Sequence, residues 1–168
     1  MQNRLDQFEK ILTKELNFYK NLLNYSKEKH KSLISKEIDD ISLITQKEEG
    51  LVHKIRECET VRINVLKEIA NEIKVSIEEL NITKISQLCE NELIKKSLLE
   101  KKEELKSILN ELQKVNDLNT ELIKQSLDII NQTVRMMSNT ATNPNLYNKK
   151  RQDQVVRPQQ SFLFDKKI

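Results

Sequence analysis

His30 and His53 are the only histidines, and neither has a second histidine three or four residues away. A metal site gathers about four N, S or O ligands, typically at CxxC or HxxxH spacing. Neither spacing occurs here. Both histidines sit among Lys and Glu at positions expected to face solvent. Cys58 and Cys89, the only cysteines, fall on apolar positions of helical patterns and read as small buried hydrophobes. A nucleophilic cysteine would want a histidine and an orienting acid around a pocket, and nothing in the pattern supplies one. Carboxylates are many, but they alternate with lysine. Glu48, Glu49, Glu103 and Glu104 read as solvated-face residues with partners one helical turn away. A general acid needs burial to raise its pKa, and a thin seam between helices is not expected to give that burial. No catalytic, cofactor-binding or metal-ligating residue is assigned, and no cofactor.

The composition says what elements could position any site. In 168 residues there are 1 Gly, 2 Pro and no Trp, while 33% of residues are charged and 4% aromatic. Sheets need turns built on Gly, Pro, Asn and Asp, and a phosphate loop needs several Gly close together. One Gly excludes both. Long helices rich in Leu, Ile, Lys and Glu remain. No export signal opens the chain and no apolar run is long enough to span a bilayer. With two thiols, this predicts a reduced, cytoplasmic protein without membrane insertion.

Apolar residues stepping by three and four predict a first helix over about 4–34, on Leu5, Phe8, Ile11, Leu12, Leu16, Tyr19, Leu22 and Leu23. Ser35 is expected to cap the second helix, about 37–74, with its stripe on Ile38, Ile41, Ile44, Leu51, Ile55, Cys58, Arg62, Val65, Leu66 and Ile69. Gly50 lies inside that helix and marks either a close approach of two helices or a point of fraying. Ser76-Ile77-Glu78-Glu79 has the form of a capping box, and Thr83 can cap a short helix over Ile85, Leu88 and Cys89, so 76–90 reads as a helical corner. A third long helix is expected over about 91–138. Its seam holds Leu105, Ile108, Leu112 and Val115, then Leu122, Ile129 and Met136, with Asn119, Ser126 and Thr133 as polar interruptions and Asn116 alongside. The fold expected is all-α: an elongated antiparallel bundle of three long helices over 1–138, then a flexible tail over 139–168.

The tail carries six basic residues against two acidic ones, plus Pro144, Pro158, Tyr147 and the Phe162-Leu163-Phe164 cluster. It is too poor in apolar surface to offset its ordering entropy. Lys149-Lys150-Arg151 reads as a solubilising run, not a nucleic-acid site.

At 1.5 Å per residue the third helix, about 70 Å, outruns the first, about 45 Å. The overhang is expected around Leu122 to Met137, with Leu122, Ile123, Ile129, Ile130, Val134 and Met137 as an uncovered stripe. Such a stripe marks a binding surface for a partner helix. The rival readings are that the corner or the tail folds back over the stripe, or that the chain is a coiled-coil adaptor that homodimerises through it.

Several of these features together resemble the FlgN-type flagellar export chaperones. The carriers are Tyr19-x-x-Leu22-Leu23, Cys58-Glu59-x-x-Arg62, the spaced pair Asn116-x-x-Asn119-x-x-Leu122, tail Tyr147, and Ser161-Phe162-Leu163-Phe164-Asp165-Lys166-Lys167. Position 58 is Cys where the family usually has Leu, and no Gly follows Tyr147. The resemblance implies a chaperone for hook–filament junction (hook-associated) proteins that delivers them to the flagellar export gate. It implies substrate binding on the C-terminal amphipathic helix, from Leu105 through Met137 with Asn116 and Asn119 selecting register, and gate docking through Tyr147. A weak homodimer of the free chain is compatible with it.

Overall fold

A computed structural model describes residues 1–141. Expectations that fall on later residues, Tyr147 and Phe162–Phe164 among them, lie outside the described residues. The fold is all-α, as the composition predicts. Helix α1 spans Gln2–Ser35, α2 Ile38–Ile73, α3 Ile82–Gln87 and α4 Glu92–Ala141, with a 3-10 turn at Ile77–Glu79. Two units are distinguished, 1–129 and 130 onward; of the second, the described part is the end of α4.

The first unit holds the core. α1 and α2 run antiparallel and are the closely packed pair: Arg4 meets Glu68 and Glu72, Glu15 meets Arg62, and Lys29 meets Glu48. α4 then returns parallel to α1. Glu9 meets Lys101, Lys20 meets Glu104, and Lys27 meets Glu111. One cluster of buried side chains joins Leu5, Phe8 and Leu12 to Val65, Leu66 and Ile69, and to Ile85, Cys89 and Leu98. The corner packs Ile85 and Cys89 into this cluster, which is why the short α3 is kept. A second cluster joins Leu16, Leu22 and Leu23 to Leu51 and Ile55 of α2 and to Ile108 and Leu112 of α4. Burying a Leu or Ile side chain contributes about 1.5–3 kcal/mol, so these two clusters hold the three long helices in register.

Helix ends differ from the expectations in instructive ways. Ser35 does not cap α2; its Oγ donates back to the carbonyls of Lys31 and Ser32. The turn is made by Lys36, left-handed at φ 62°, with the Glu37 N–H donating to Ser32 O. Lys74 repeats the device at φ 55°, the Val75 N–H donating to Ala70 O. Both are Schellman-type ends, normally built on Gly. Ser76 does cap the element that follows it, accepting from Glu78 N–H, but that element is one 3-10 turn. Asn81, not Thr83, caps α3: Asn81 holds the extended backbone at the N-cap and accepts from the Lys84 N–H, whereas Thr83 already lies inside the helix. Asn91 accepts from the Leu93 N–H at the start of α4. Gly50 marks no close approach: a Cβ there would meet nothing within 4 Å. α4 continues through Asn139 to Ala141, past the expected end at Ser138.

Candidate protein-binding surface

Two polar residues expected to face solvent, His30 and Glu48, and two expected in or beside the α4 seam, Asn119 and Asn116, all make contacts inside the chain. Asn119 is buried and donates through Nδ2 to Ser26 O at 3.0 Å, while its Oδ1 lies 2.8 Å from His30 Nδ1. Ser26 Oγ donates to Asn116 Oδ1 at 2.6 Å. His30 is therefore half-buried and engaged by α4, not facing solvent; His53 is exposed beside Glu57. Glu48, read as a solvated-face residue, is buried and ion-paired to Lys29. Together these groups form a polar layer across α1, α2 and α4. A buried polar layer of this kind costs packing but admits only one register.

Below that layer the carboxylate expectation also fails. Glu15 is 3% exposed, in the apolar face of α1. Burial is the main cause that raises its pKa, and the nearby Glu59 charge adds to it; attraction to Arg62 acts the other way without cancelling it. Arg62 Nε lies 3.1 Å from Glu15 Oε2, yet the alignment is not that of a hydrogen bond, and neither atom has another hydrogen-bond partner. Tyr19 shares the site, its phenol pKa raised by burial, then by Glu15 and Glu59. Glu15 is thus a buried acid with one cation beside it. Cys89 is buried with its thiol pKa raised, mainly by burial, which suppresses the nucleophilic thiolate. Among the described residues no group of three His, Cys, Asp or Glu is placed to hold a metal ion.

The residues named from the sequence separate along α4. Ile108, Leu112 and Asn119 are buried against the hairpin; Leu105, Val115 and Leu122 are half-buried. Asn116 is engaged by Ser26. From Leu118 onward large apolar side chains are exposed. In the first unit these are Leu118, Ile123, Leu127 and Ile129. In the second unit they are Ile130, Val134, Met136 and Met137. In the first unit Ile123 and Leu127 stand four apart, and in the second Ile130, Val134 and Met137 step by four and three, an apolar row in each. The seam positions are broken by polar residues, Ser126 between Leu122 and Ile129 in the first unit and Thr133 before Met136 in the second. Leu127 and Leu118 escaped the sequence reading because neither lies on the seam; the 4-3 spacing of the neighbouring row would have found Leu127. Exposed apolar residues also gather at the α1–α2 turn, where Ile34, Ile38 and Leu43 lie open.

No helix among the described residues is long and apolar enough to cross a membrane. A family model described as FlgN protein matches residues 1–154. The match therefore includes the whole bundle and Tyr147, and stops short of Phe162–Phe164. Comparison with curated proteins and with solved structures gives no match.

Proposed function

Since the chain belongs to the FlgN family, a family of flagellar export chaperones that bind flagellar proteins, we propose that it binds hook-associated (junction) proteins in the cytoplasm. It keeps them unassembled and delivers them to the flagellar export gate. The observation that carries this reading is the exposed apolar row that begins at Ile123 and Leu127. A soluble chain gains nothing by exposing such a row unless a partner covers it.

The mechanism follows from the row. A cargo segment with its own apolar stripe would self-associate when free. Laid on α4 it removes apolar area from water worth about 25 cal/mol per Å², less the cost of ordering both surfaces. Binding of this kind holds cargo without hydrolysing anything. Release then falls to the gate, with Tyr147 as the docking residue.

Of the residues first assigned to cargo, Ile123 and Ile129 of the first unit keep that assignment as exposed apolar side chains, and so do Ile130, Val134 and Met137 of the second. Leu105, Ile108, Leu112, Val115, Asn116, Asn119 and Leu122 serve the bundle in the free chain and would join the site only if α4 shifted. The test is calorimetric titration of the full chain with the C-terminal segment of each hook-associated protein encoded in the same genome. Saturable 1:1 binding with a negative heat-capacity change is expected, and Leu127→Asp should weaken it at least tenfold with helicity intact. Absence of binding in wild type, together with a tight dimer by light scattering, would replace the chaperone by the homodimeric adaptor.

A further inference from the structure

Within the first unit, α1 and α2 also meet along a groove on the flank away from α4. Helix α4 reaches α1 through Lys20 and Lys27. Phe18 and Tyr25 lie two residues before these, about 200° round the helix. On their flank Ile11, Phe18 and Tyr25 step by seven along α1, and Val61, Lys54 and Lys47 step by seven back along α2. Ile11, Phe18, Lys54 and Val61 line one open cavity together with Lys14. Lys14 Nζ stands 6.0 Å from the centre of the Phe18 ring, and Lys47 Nζ 5.5 Å from that of Tyr25. Gly50 lies three residues after Lys47 and four before Lys54, so it shares their face. A glycine inside a helix weakens it. Among the described residues nothing makes use of this one, since a Cβ there would meet nothing within 4 Å. The result is a notch in α2 with a lysine one turn away on either side.

We infer that this groove docks a helix of another protein, seated with its backbone over Gly50 and with an Asp or Glu of its apolar stripe between Lys47 and Lys54. The floor selects the stripe: Ile11 and Phe18 are half-buried, and Val61 is 46% exposed. The charge selects the acid. Lys14, Lys47 and Lys54 stand on this stretch against Glu57, which lies 3.3 Å from His53. Glu28 and Asp40, with Lys31, lie at the turn end of the same groove, so the basic stretch is confined to its middle. A carboxylate there is attracted and a basic side chain repelled. The chain's own tail, with six basic residues against two acidic, does not match. The missing Cβ at Gly50 lets a partner backbone come closer than any other residue would allow. A helix in this groove leaves Ile123 and Leu127 open, so the surface stands apart from the proposed cargo site and does not depend on it.

The probe is a synthetic amphipathic helical peptide with a Leu stripe and one Glu at its centre, beside a counterpart with Lys in place of that Glu. Each is titrated by calorimetry into the full chain. The Glu peptide should bind saturably, about tenfold or more tighter than the Lys peptide, and its affinity should fall as salt rises. Gly50→Leu should weaken that binding about tenfold or more while the thermal midpoint does not fall, because leucine is the better helix former. Lys54→Glu should narrow or reverse the preference between the two peptides. Leu127→Asp should leave both affinities unchanged. If wild type does not bind the Glu peptide, or takes the two peptides alike, the inference is overturned. It is overturned equally if Gly50→Leu binds like wild type, or if Leu127→Asp abolishes binding and so places the peptide on α4.

Discussion

Asn119 Oδ1 and His30 Nδ1 lie 2.8 Å apart, joining α4 to α1 across 89 residues of sequence. The same amide donates to the carbonyl of Ser26, so both ends of the Asn119 side chain are spent inside the chain. A residue that looks like a partner-facing signature is here a lock between two parallel helices.

Asn119→Ala removes a donor from Ser26 O and an acceptor from His30, leaving buried polar groups unmatched. Such a loss costs about 1–3 kcal/mol. Urea unfolding should show that loss, while cargo affinity of the folded protein stays within about twofold, a prediction that rests on the division of α4 proposed above. A collapse of affinity with stability unchanged would return Asn119 to the binding surface.

Glu15 should make stability depend on pH in an unusual direction. Its pKa is raised in the folded chain, mainly by burial, so folding favours its protonated form. That contribution is present below the ordinary glutamate pKa and is lost as pH rises through the raised value. Glu9 works oppositely. Burial pushes its pKa up, but the Lys101 and Ser97 hydrogen bonds together with the Lys101 charge outweigh it and leave it lowered. Its contribution is present above the ordinary range and is lost on acidification. Glu15→Gln should be at least as stable as wild type near neutral pH, and its advantage should shrink as pH falls. The check is denaturant unfolding of both proteins across that range; an advantage that grows toward low pH would show that the Arg62 attraction governs the site.

Two backbone positions offer opposite substitutions with the same sign. Gly50 lies within α2 with open space where a Cβ would go, so Gly50→Ala should stabilise by about 1 kcal/mol. Lys36 holds a left-handed turn, a conformation that costs a side-chain-bearing residue about 1–2 kcal/mol. Lys36→Gly relieves that cost but adds freedom to the unfolded chain, for a net gain of up to about 1 kcal/mol. Calorimetric thermal midpoints should rise by about 2–4 °C per kcal/mol for a chain of this size. A fall in either would mean the replaced residue makes a contact beyond those described.

The long helices were readable because Gly and Pro are nearly absent and apolar residues step by three and four. Their ends were placed to within three residues, but how they end was not legible, because Lys36 and Lys74 do work usually left to Gly, and lysine carries no signal of a left-handed turn. Glu15 was missed for a related reason. It falls on the 5-8-12-15-19 spacing of the α1 stripe, but its charge sorted it to the solvent face. Arg62 sits in the α2 stripe in the same way, and a charge in each of two facing stripes is the readable trace of a buried pair. The exposed end of α4 was half legible: helix lengths predicted an uncovered stretch, whereas which row of that stretch stays apolar depended on Leu127, which the seam did not include.

The parallel return of α4 has a consequence for how the chain is born. α1 and α2 meet through a two-residue turn, Lys36 and Glu37, so their pairing needs only neighbouring sequence. Every bridge from α1 to α4 must wait for some 90 further residues to be made. On a ribosome the hairpin is complete while α4 is still unsynthesised, and the nascent chain carries half-covered clusters until Leu98, Ile108 and Leu112 arrive. Helix α4 is the last to dock in synthesis.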